Sequence, residues 1–381
     1  MFKTIVRTVC AAAICLSAAL QPLGTNADVA PGAVSAVLIE SGANTVIYEK
    51  NARKKMPMAS TTKIMTALCA LENADPNKTV NIDSRAVGVE GSSIYLAKGE
   101  KMTLRELIYG LMLHSGNDAA VAIAYAVSGG IDEFADLMNK TAARIGAADT
   151  HFENPNGLDS DNHYTTAYDL AIITSYALKN REFAKVVSTY EMNISGGDRG
   201  YDRKLRNHNK LLRLYDGCTG VKTGFTKRCG RCLVSSAKRG GTELVAVTLN
   251  DGNDWQDHAA MLDYGFAETK EVCVLHKGDY LQSVSVHGGT AENCNAVCAE
   301  DLYVTQLKSD TAKPEIFYEI EPSVNAPVEY GDRLGTVGVK VGGRRGRSVD
   351  AVAAECVPGK PKSKVLDNMA LLMKFWTWSL H

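Results

Sequence analysis

The amino-acid sequence predicts an α/β (α+β) chain in two parts, an antiparallel sheet flanked by helices followed by a smaller all-β region. Three observations carry this expectation. The 381 residues exceed what one hydrophobic core ordinarily holds. Between about residues 35 and 269, short apolar strands with hairpin signals alternate with helical runs. Beyond Cys273 the segments are Val-rich and alternating, as in VLHKGDYLQSVSVHG and DRLGTVGVKVGG, with no helical run until the terminus.

The elements follow in order. Residues 1–27 join an early basic pair, Lys3 and Arg7, to the apolar run VCAAAICLSAAL and the small residues TNA, the pattern of a secretory signal peptide ending at Ala27. That apolar core is short for a bilayer span, so an exported protein is expected. SAVLIESGANTVIYEKN holds two strands around Gly42 to Asn44. Residues 60–72, STTKIMTALCALE, are apolar almost all round, which marks a helix buried at the centre of its domain. In TLRELIYGLMLH, Thr103 and Glu106 form a capping box, and the helix stops near His114. The next helix, AAVAIAYAVSGG, begins beyond Asn117 and Asp118, leaving Ser115-Gly116-Asn117 in the connection. DEFADLMNKTAARIG ends on Gly146 as its C-cap, and residues 151–166 form a long polar loop before the helix AYDLAIITSYAL.

From about residue 217 strands return: GCTGVKTGFT, then the two arms of a hairpin around KRGG, closed by the helix WQDHAAMLDYGFAET. The domain boundary falls near residue 272, giving one domain over 28–272 and a β-rich one over 273–361. Residues 362–381 present a broad apolar arc of Val365, Leu366, Met369, Leu372, Phe375 and Trp376 beside Asp367 and Lys374. Such a helix suits a membrane surface as a peripheral anchor and is too short to cross; docking on its own domain is the alternative.

Composition narrows the partners. Net charge is -1, or -3 once Lys3 and Arg7 are removed, a balance that offers no nucleic-acid surface. Of ten cysteines, eight lie outside the leader, without the spacing of a disulfide scaffold. Cys229 and Cys232 form a C-x-x-C with no second pair, inside a predicted hairpin, and are expected to carry neither metal nor redox chemistry. Cys294 and Cys298 are expected as small buried residues, a local bridge being the alternative.

The chemistry centres on Ser60 and Lys63. A serine hydroxyl is a weak nucleophile until a base takes its proton, and a lysine three residues on shares its helical face. Desolvation and nearby cations lower the amine's pKa, so that it can act as that base, and a helix N-terminus favours the developing oxyanion. S-x-x-K alone is a weak signal, for it recurs at Ser235 and Lys238, where a hairpin arm aligns nothing. Lys222-Thr223-Gly224 supplies company: an edge strand that can pair with an extended peptide, a glycine for close approach, and a positive charge. The amide of Phe225 can complete an oxyanion hole with that of Ser60. For a middle S-x-N element, Ser115 and Asn117 in a turn between buried helices are preferred to Ser160-Asp161-Asn162 in the polar loop.

With S-x-x-K, S-x-N and K-T-G in this order, the chain resembles the serine-type D-alanyl-D-alanine carboxypeptidases among the low-molecular-mass penicillin-binding proteins, peptidase family S11. The likeness extends to NPNGLDSDNHYTTAYDLA, NHNKLLRLYDGCTGVKTGFTKRCGRCLVSSA and MLDYGF, covering most of residues 30–270, while the tail resembles the family's C-terminal domain in arrangement. Phe225 after the K-T-G and Cys229 in place of a small residue are departures. The resemblance implies a serine β-lactamase/penicillin-binding transpeptidase-like fold. It implies attack by Ser60, with Lys63 as base, on the penultimate D-alanine of a peptidoglycan pentapeptide stem. Ser115 would relay a proton, Asn117 orient the substrate amide, and Lys222 and Thr223 hold the terminal carboxylate. It implies acylation of Ser60 by β-lactam antibiotics, and no metal or cofactor. A β-lactamase, for which Glu153 is the only candidate carboxylate in the loop, a DD-transpeptidase, and a non-catalytic peptidoglycan-binding module remain as alternatives.

Overall fold

The computed structural model describes residues 28–360 except 197–199, 201 and 312, so the expected signal peptide and C-terminal membrane helix lie outside the described residues. The chain opens with the hairpin β1 (Ala33–Glu40) and β2 (Thr45–Lys50), then a 3-10 turn (Ala59–Thr62) running into α1 (Lys63–Asn73). A small hairpin of β3 (Thr79–Asn81) and β4 (Lys101–Thr103) precedes α2 (Leu104–Leu113), α3 (Asn117–Ser128), α4 (Ile131–Ile145), α5 (Ala167–Leu178) and α6 (Arg181–Ser188). A second small hairpin, β5 (Glu191–Ile194) with β6 (Arg203–Arg206), and the single turn α7 (Leu211–Leu214) lead to β7 (Cys218–Thr226), β8 (Gly230–Arg239), β9 (Thr242–Asp251) and α8 (Asp254–Glu268).

The main sheet runs β2-β1-β9-β8-β7, antiparallel throughout. Side chains alternate across it, so consecutive residues enter different cores. Val37, Ile39, Val234, Val245 and Val247 face α1 to α5. Ala36, Leu38, Leu233, Leu244 and Ala246 face Met261 and Leu262 of α8. Every α1 residue from Lys63 to Ala70 is buried, as expected for a helix apolar all round. β7 is an edge strand, with one side free of sheet partners.

Beyond α8 all described elements are strands: β10 (Thr269–Leu275), β11 (Tyr280–His287), β12 (Asn293–Cys298), β13 (Leu302–Leu307), β14 (Glu315–Ile320), β15 (Ser323–Asn325), β16 (Arg333–Val341) and β17 (Arg344–Ala353). Six form a sheet in the order β14-β16-β17-β12-β11-β15, and β10 pairs with β13.

Several expectations are refined. α2 has its capping box at Thr103 and Glu106, and Gly146 ends α4 at φ +93°. α3 starts at Asn117 rather than beyond Asp118, because the Ala120 amide already bonds the Gly116 carbonyl at 3.2 Å. The Ser60 segment begins as a 3-10 turn, not an α-helix. α6 was not foreseen, although Asn180 caps it by accepting from the amides of Glu182 and Phe183. Cys294 and Cys298 lie on one strand four residues apart, about 13 Å at strand rise, beyond the reach of a disulfide. All eight described cysteines are free.

One buried ion pair ties the second hairpin to the helical layer. The Arg203 guanidinium meets Glu100 at 2.6 and 2.9 Å and donates to the carbonyls of Ile94, Tyr95 and Ser195. Removing one member strands a buried charge. Arg203→Ala is expected to lower unfolding stability by about 3–5 kcal/mol in a denaturant titration, and a loss below 1 kcal/mol would show that the pair is dispensable.

Candidate active site

The Ser60–Lys63 pair is built on the change of helix type. In a 3-10 turn, side chains three apart eclipse, which stacks Lys63 directly over Ser60. Lys63 Nζ stands 2.8 Å from Ser60 Oγ, 2.7 Å from Asn117 Oδ1 and 2.5 Å from the Asn156 carbonyl. The side chain has no exposed surface. Burial pushes the amine well below its usual pKa; the charge of Lys222 adds to the effect and Asp118 partly opposes it.

Ser115 and Asn117 come from the turn between α2 and α3. Ser115 adopts φ +61°, unusual for a residue with a Cβ, which turns the chain sharply between two buried helices. A strap over residues 90–96 holds that turn. The Asn117 amide donates to the Ser92 carbonyl at 2.7 Å, and its side-chain Nδ2 donates to the Glu90 carbonyl at 2.5 Å. Those two bonds leave Oδ1 aimed at Lys63. Asp118, buried, accepts from the amides of Ile94 and Leu96 and from the Ser93 hydroxyl. Gly91 is needed here at φ +95°, since a Cβ would stand 2.6 Å from Asn117 Nδ2.

The third wall is the edge strand β7. Lys222 is buried, its Nζ donates to the Thr223 carbonyl at 2.8 Å, and desolvation pushes its pKa down to about 7. Gly224 presses on the Ser60 turn: a Cβ would lie 3.1 Å from the Met58 carbonyl and 3.2 Å from the Ser60 amide nitrogen. Phe225 projects outward, 65% exposed. Ser60, Ser115, Thr223, Gly224 and Phe225 line one cleft of about 340 Å³. Asn117 and Lys222 are buried and are not among the residues that line it.

The polar loop closes the floor. Gly157, at φ +84°, lies so close beneath the turn that a Cβ would overlap the Ala59 carbonyl. His163 Nδ1 accepts the Glu153 amide at 3.0 Å, so Nε2 carries the proton and donates to Thr62 Oγ1 at 2.8 Å. Burial pushes His163 down to about 4, which keeps it neutral. Ser160 is bonded to the Glu153 carboxylate and Asp161 pairs with Arg228 at 3.0 Å, so Ser160-Asp161-Asn162 braces the loop, and neither it nor Glu153 lines the cleft. Ser235 is likewise spent, on His258 Nδ1 at 2.5 Å in the core.

The D-alanyl-D-alanine carboxypeptidase family model matches residues 24–253. The chain belongs to the D-alanyl-D-alanine carboxypeptidase family. The C-terminal domain model of penicillin-binding protein 5 matches residues 270–358. The chain is 35% identical to the D-alanyl-D-alanine carboxypeptidase DacF of Bacillus subtilis over 83% of each chain. It is 28% identical to DacA of Escherichia coli over 90% of this chain and 88% of the relative. Penicillin-binding protein 5 of Haemophilus influenzae superposes with a TM-score of 0.62 at 26% identity, covering 86% of this chain and 98% of that one. The fold is that of the penicillin-binding proteins and serine β-lactamases, and the chain is a carboxypeptidase of that fold.

Sequence reasoning missed several parts of this carboxypeptidase's cleft. The Asn156 carbonyl carries no residue-type signal, being backbone. Asp118 was visible only as the residue after the S-G-N. His208, Lys210, Arg231, Asp254 and Trp255 also line the cleft, from segments whose strand and helix patterns do not advertise chemistry. Arg231 is held by Asp254 through contacts of 2.8 and 3.1 Å.

Gly157→Ala tests whether the loop sets the nucleophile. The added Cβ and the positive φ are expected to destabilise the fold by roughly 1–3 kcal/mol. Penicillin acylation of the still-folded fraction should slow with it, measured as the rate of covalent labelling. Unchanged labelling would separate the loop from the nucleophile.

Proposed function

We propose that Ser60 is the nucleophile and Lys63 its general base in removing the terminal D-alanine from peptidoglycan pentapeptide stems. The observation that carries this reading is the surroundings of the Lys63 amine. A neutral amine has two N–H donors and one lone pair. Asn117 Oδ1 and the Asn156 carbonyl can only accept, so they take the two N–H groups, and the lone pair is left for the Ser60 hydroxyl.

Ser60 Oγ attacks the carbonyl carbon of the penultimate D-alanine as its proton passes to Lys63. The oxyanion is met by the amides of Ser60 and Phe225, which the close approach of Gly224 to the turn brings to one side of the cleft. Ser115 passes a proton to the departing D-alanine nitrogen, and Asn117 orients the substrate amide. Water then attacks the ester, and the proton and the acid product leave with Ser60 restored. Lys222 and Thr223 hold the substrate's terminal carboxylate. β-Lactam antibiotics, which mimic the terminal dipeptide, acylate the same Ser60. The two lysines differ in what depresses them: Lys63 is pushed well down by burial and by the charge of Lys222, which favours its neutral form, while burial alone brings Lys222 down to about 7.

The same reading places the protein outside the cytoplasm, in the wall or on the outer membrane surface, with residues 28–272 as catalytic domain, 273–361 as the β domain and 362–381 as a peripheral anchor. Among the described residues, no helix is long and apolar enough to cross a membrane.

Incubation with a pentapeptide stem should release one D-alanine per peptide, followed by mass spectrometry. Ser60→Ala should abolish both that release and covalent penicillin labelling, and Lys63→Ala should slow both by about 10²–10⁴; labelling retained by Ser60→Ala would refute the assignment. For free enzyme, kcat/KM should fall as pH rises through about 7, where Lys222 loses its proton. Lys222→Arg stays charged, so its alkaline limb should move upward. An unmoved limb would remove Lys222 from substrate binding.

A further inference from the structure

β10 follows α8 without a break, so Cys273 stands where the chain enters the second domain. The register against β13 slips between Cys273 and Leu275, a bulge at Val274, and the strand then ends. His276 opens a tight turn: its amide donates to Asp279 Oδ2 at 2.8 Å, and the Asp279 amide returns to its carbonyl at 3.0 Å. Asp301 arrives from the turn between β12 and β13. The Lys277 amide donates to its Oδ1 at 2.8 Å, and the hydroxyl of Tyr303, the cross-strand partner of Cys273, donates to Oδ2 at 3.0 Å.

The outcome is a thiol, an imidazole and a carboxylate whose ligand atoms all lie within 4.8 Å of one another. Cys273 Sγ is 3.5 Å from His276 Nδ1, which is 3.9 Å from Asp301 Oδ1. We propose that Cys273, His276 and Asp301 form a zinc site at the junction between the carboxypeptidase region and the β domain, apart from the reaction cleft.

The donor set and the spacing argue together. Bonds of about 2.0–2.3 Å in a tetrahedron set neighbouring ligand atoms about 3.3–3.6 Å apart. The sulfur-to-imidazole edge already fits, the imidazole-to-carboxylate edge must close by about 0.5 Å, and the sulfur-to-carboxylate edge, which lies within 4.8 Å, by up to about 1.3 Å. A mixed sulfur, nitrogen and oxygen set favours Zn²⁺ over Mg²⁺ or Ca²⁺, which take oxygen ligands. The Lys277 amide and Tyr303 hydroxyl fix the carboxylate as outer partners of a metal ligand do. His276 is exposed and Cys273 partly so, which leaves a fourth direction for water. Binding replaces the thiol proton, released to solvent, by the metal, and the Leu275 carbonyl at 3.3 Å gives up its S–H contact.

A metal there would clamp the end of β10 to the β12–β13 turn. That two-stranded sheet also meets the carboxypeptidase region directly, through Thr242 Oγ1 and Thr305 Oγ1 at 3.0 Å and the Lys308 amide on the Glu268 carbonyl at 2.8 Å. Occupancy is therefore expected to stiffen the join between domains rather than to alter the chemistry.

Titration of the full chain with Co²⁺ as the spectroscopic stand-in tests this. Expected is one equivalent bound, with a thiolate-to-cobalt charge-transfer band that Zn²⁺ displaces and that excess Mg²⁺ or Ca²⁺ does not. Cys273→Ser should remove the band, while His276→Ala and Asp301→Asn should each weaken binding tenfold or more. D-alanine release by each variant should match the parent, which also certifies its fold. Absence of a charge-transfer band in the parent would overturn the proposal. A band that survives Cys273→Ser would do so too, because it would assign the metal to Cys229 and Cys232 or to Cys356.

Discussion

A fully buried amine with no carboxylate hydrogen-bonded to it among the described residues governs this structure. Lys63 is enclosed because α1 is packed on every side, and a charged ammonium in that position would forfeit its hydration without a counter-ion. Asp118, whose charge reaches it, has its oxygens taken by the amides of Ile94 and Leu96 and the Ser93 hydroxyl. The amine therefore favours its neutral form, and its two hydrogens and one lone pair match its three neighbours. The same dryness that disfavours the charge leaves a lone pair on the nitrogen, which the proposed general-base role of Lys63 needs.

That state is maintained by strained backbone held from several directions. Ala59 at φ +47° and Ser115 at φ +61° are both non-glycine residues in the left-handed region, one just before Ser60 and one at the start of the S-x-N turn. Each is fixed by a neighbour with no room to yield: Gly157 and the 151–166 loop beneath the first, the 90–96 strap beside the second. The edge of β7 completes the enclosure, since Gly224 brings the strand so close that a Cβ there would stand 3.2 Å from the Ser60 amide nitrogen. Four segments distant in sequence thus share one small volume, and the rigidity of each depends on the others.

Much of this was legible in the sequence. The Thr103 and Glu106 capping box, the Gly146 C-cap and the two hairpins are local, and local rules found them. Ser60 and Lys63 were legible because their contact lies within one turn. The choice of Ser115-Gly116-Asn117 over Ser160-Asp161-Asn162 rested on a rigid turn being better placed than a polar loop, and the two differ in the structure by their partners: Asn117 meets Lys63, Ser160 meets Glu153. The start of α3 and the existence of α6 were less legible, because a helix end is decided by where the first amides find acceptors.

The sequence by itself determined the elements, the motif order and the residue types able to activate a serine, since these follow from side-chain chemistry and spacing along the chain. Only the tertiary structure decided that the Asn156 carbonyl and Asn117 Oδ1 would occupy both hydrogens of Lys63, and that Lys222 would stand near enough to depress its pKa. The physical reason is that a proton's affinity depends on burial and on neighbours in space, and neither quantity is carried by sequence separation.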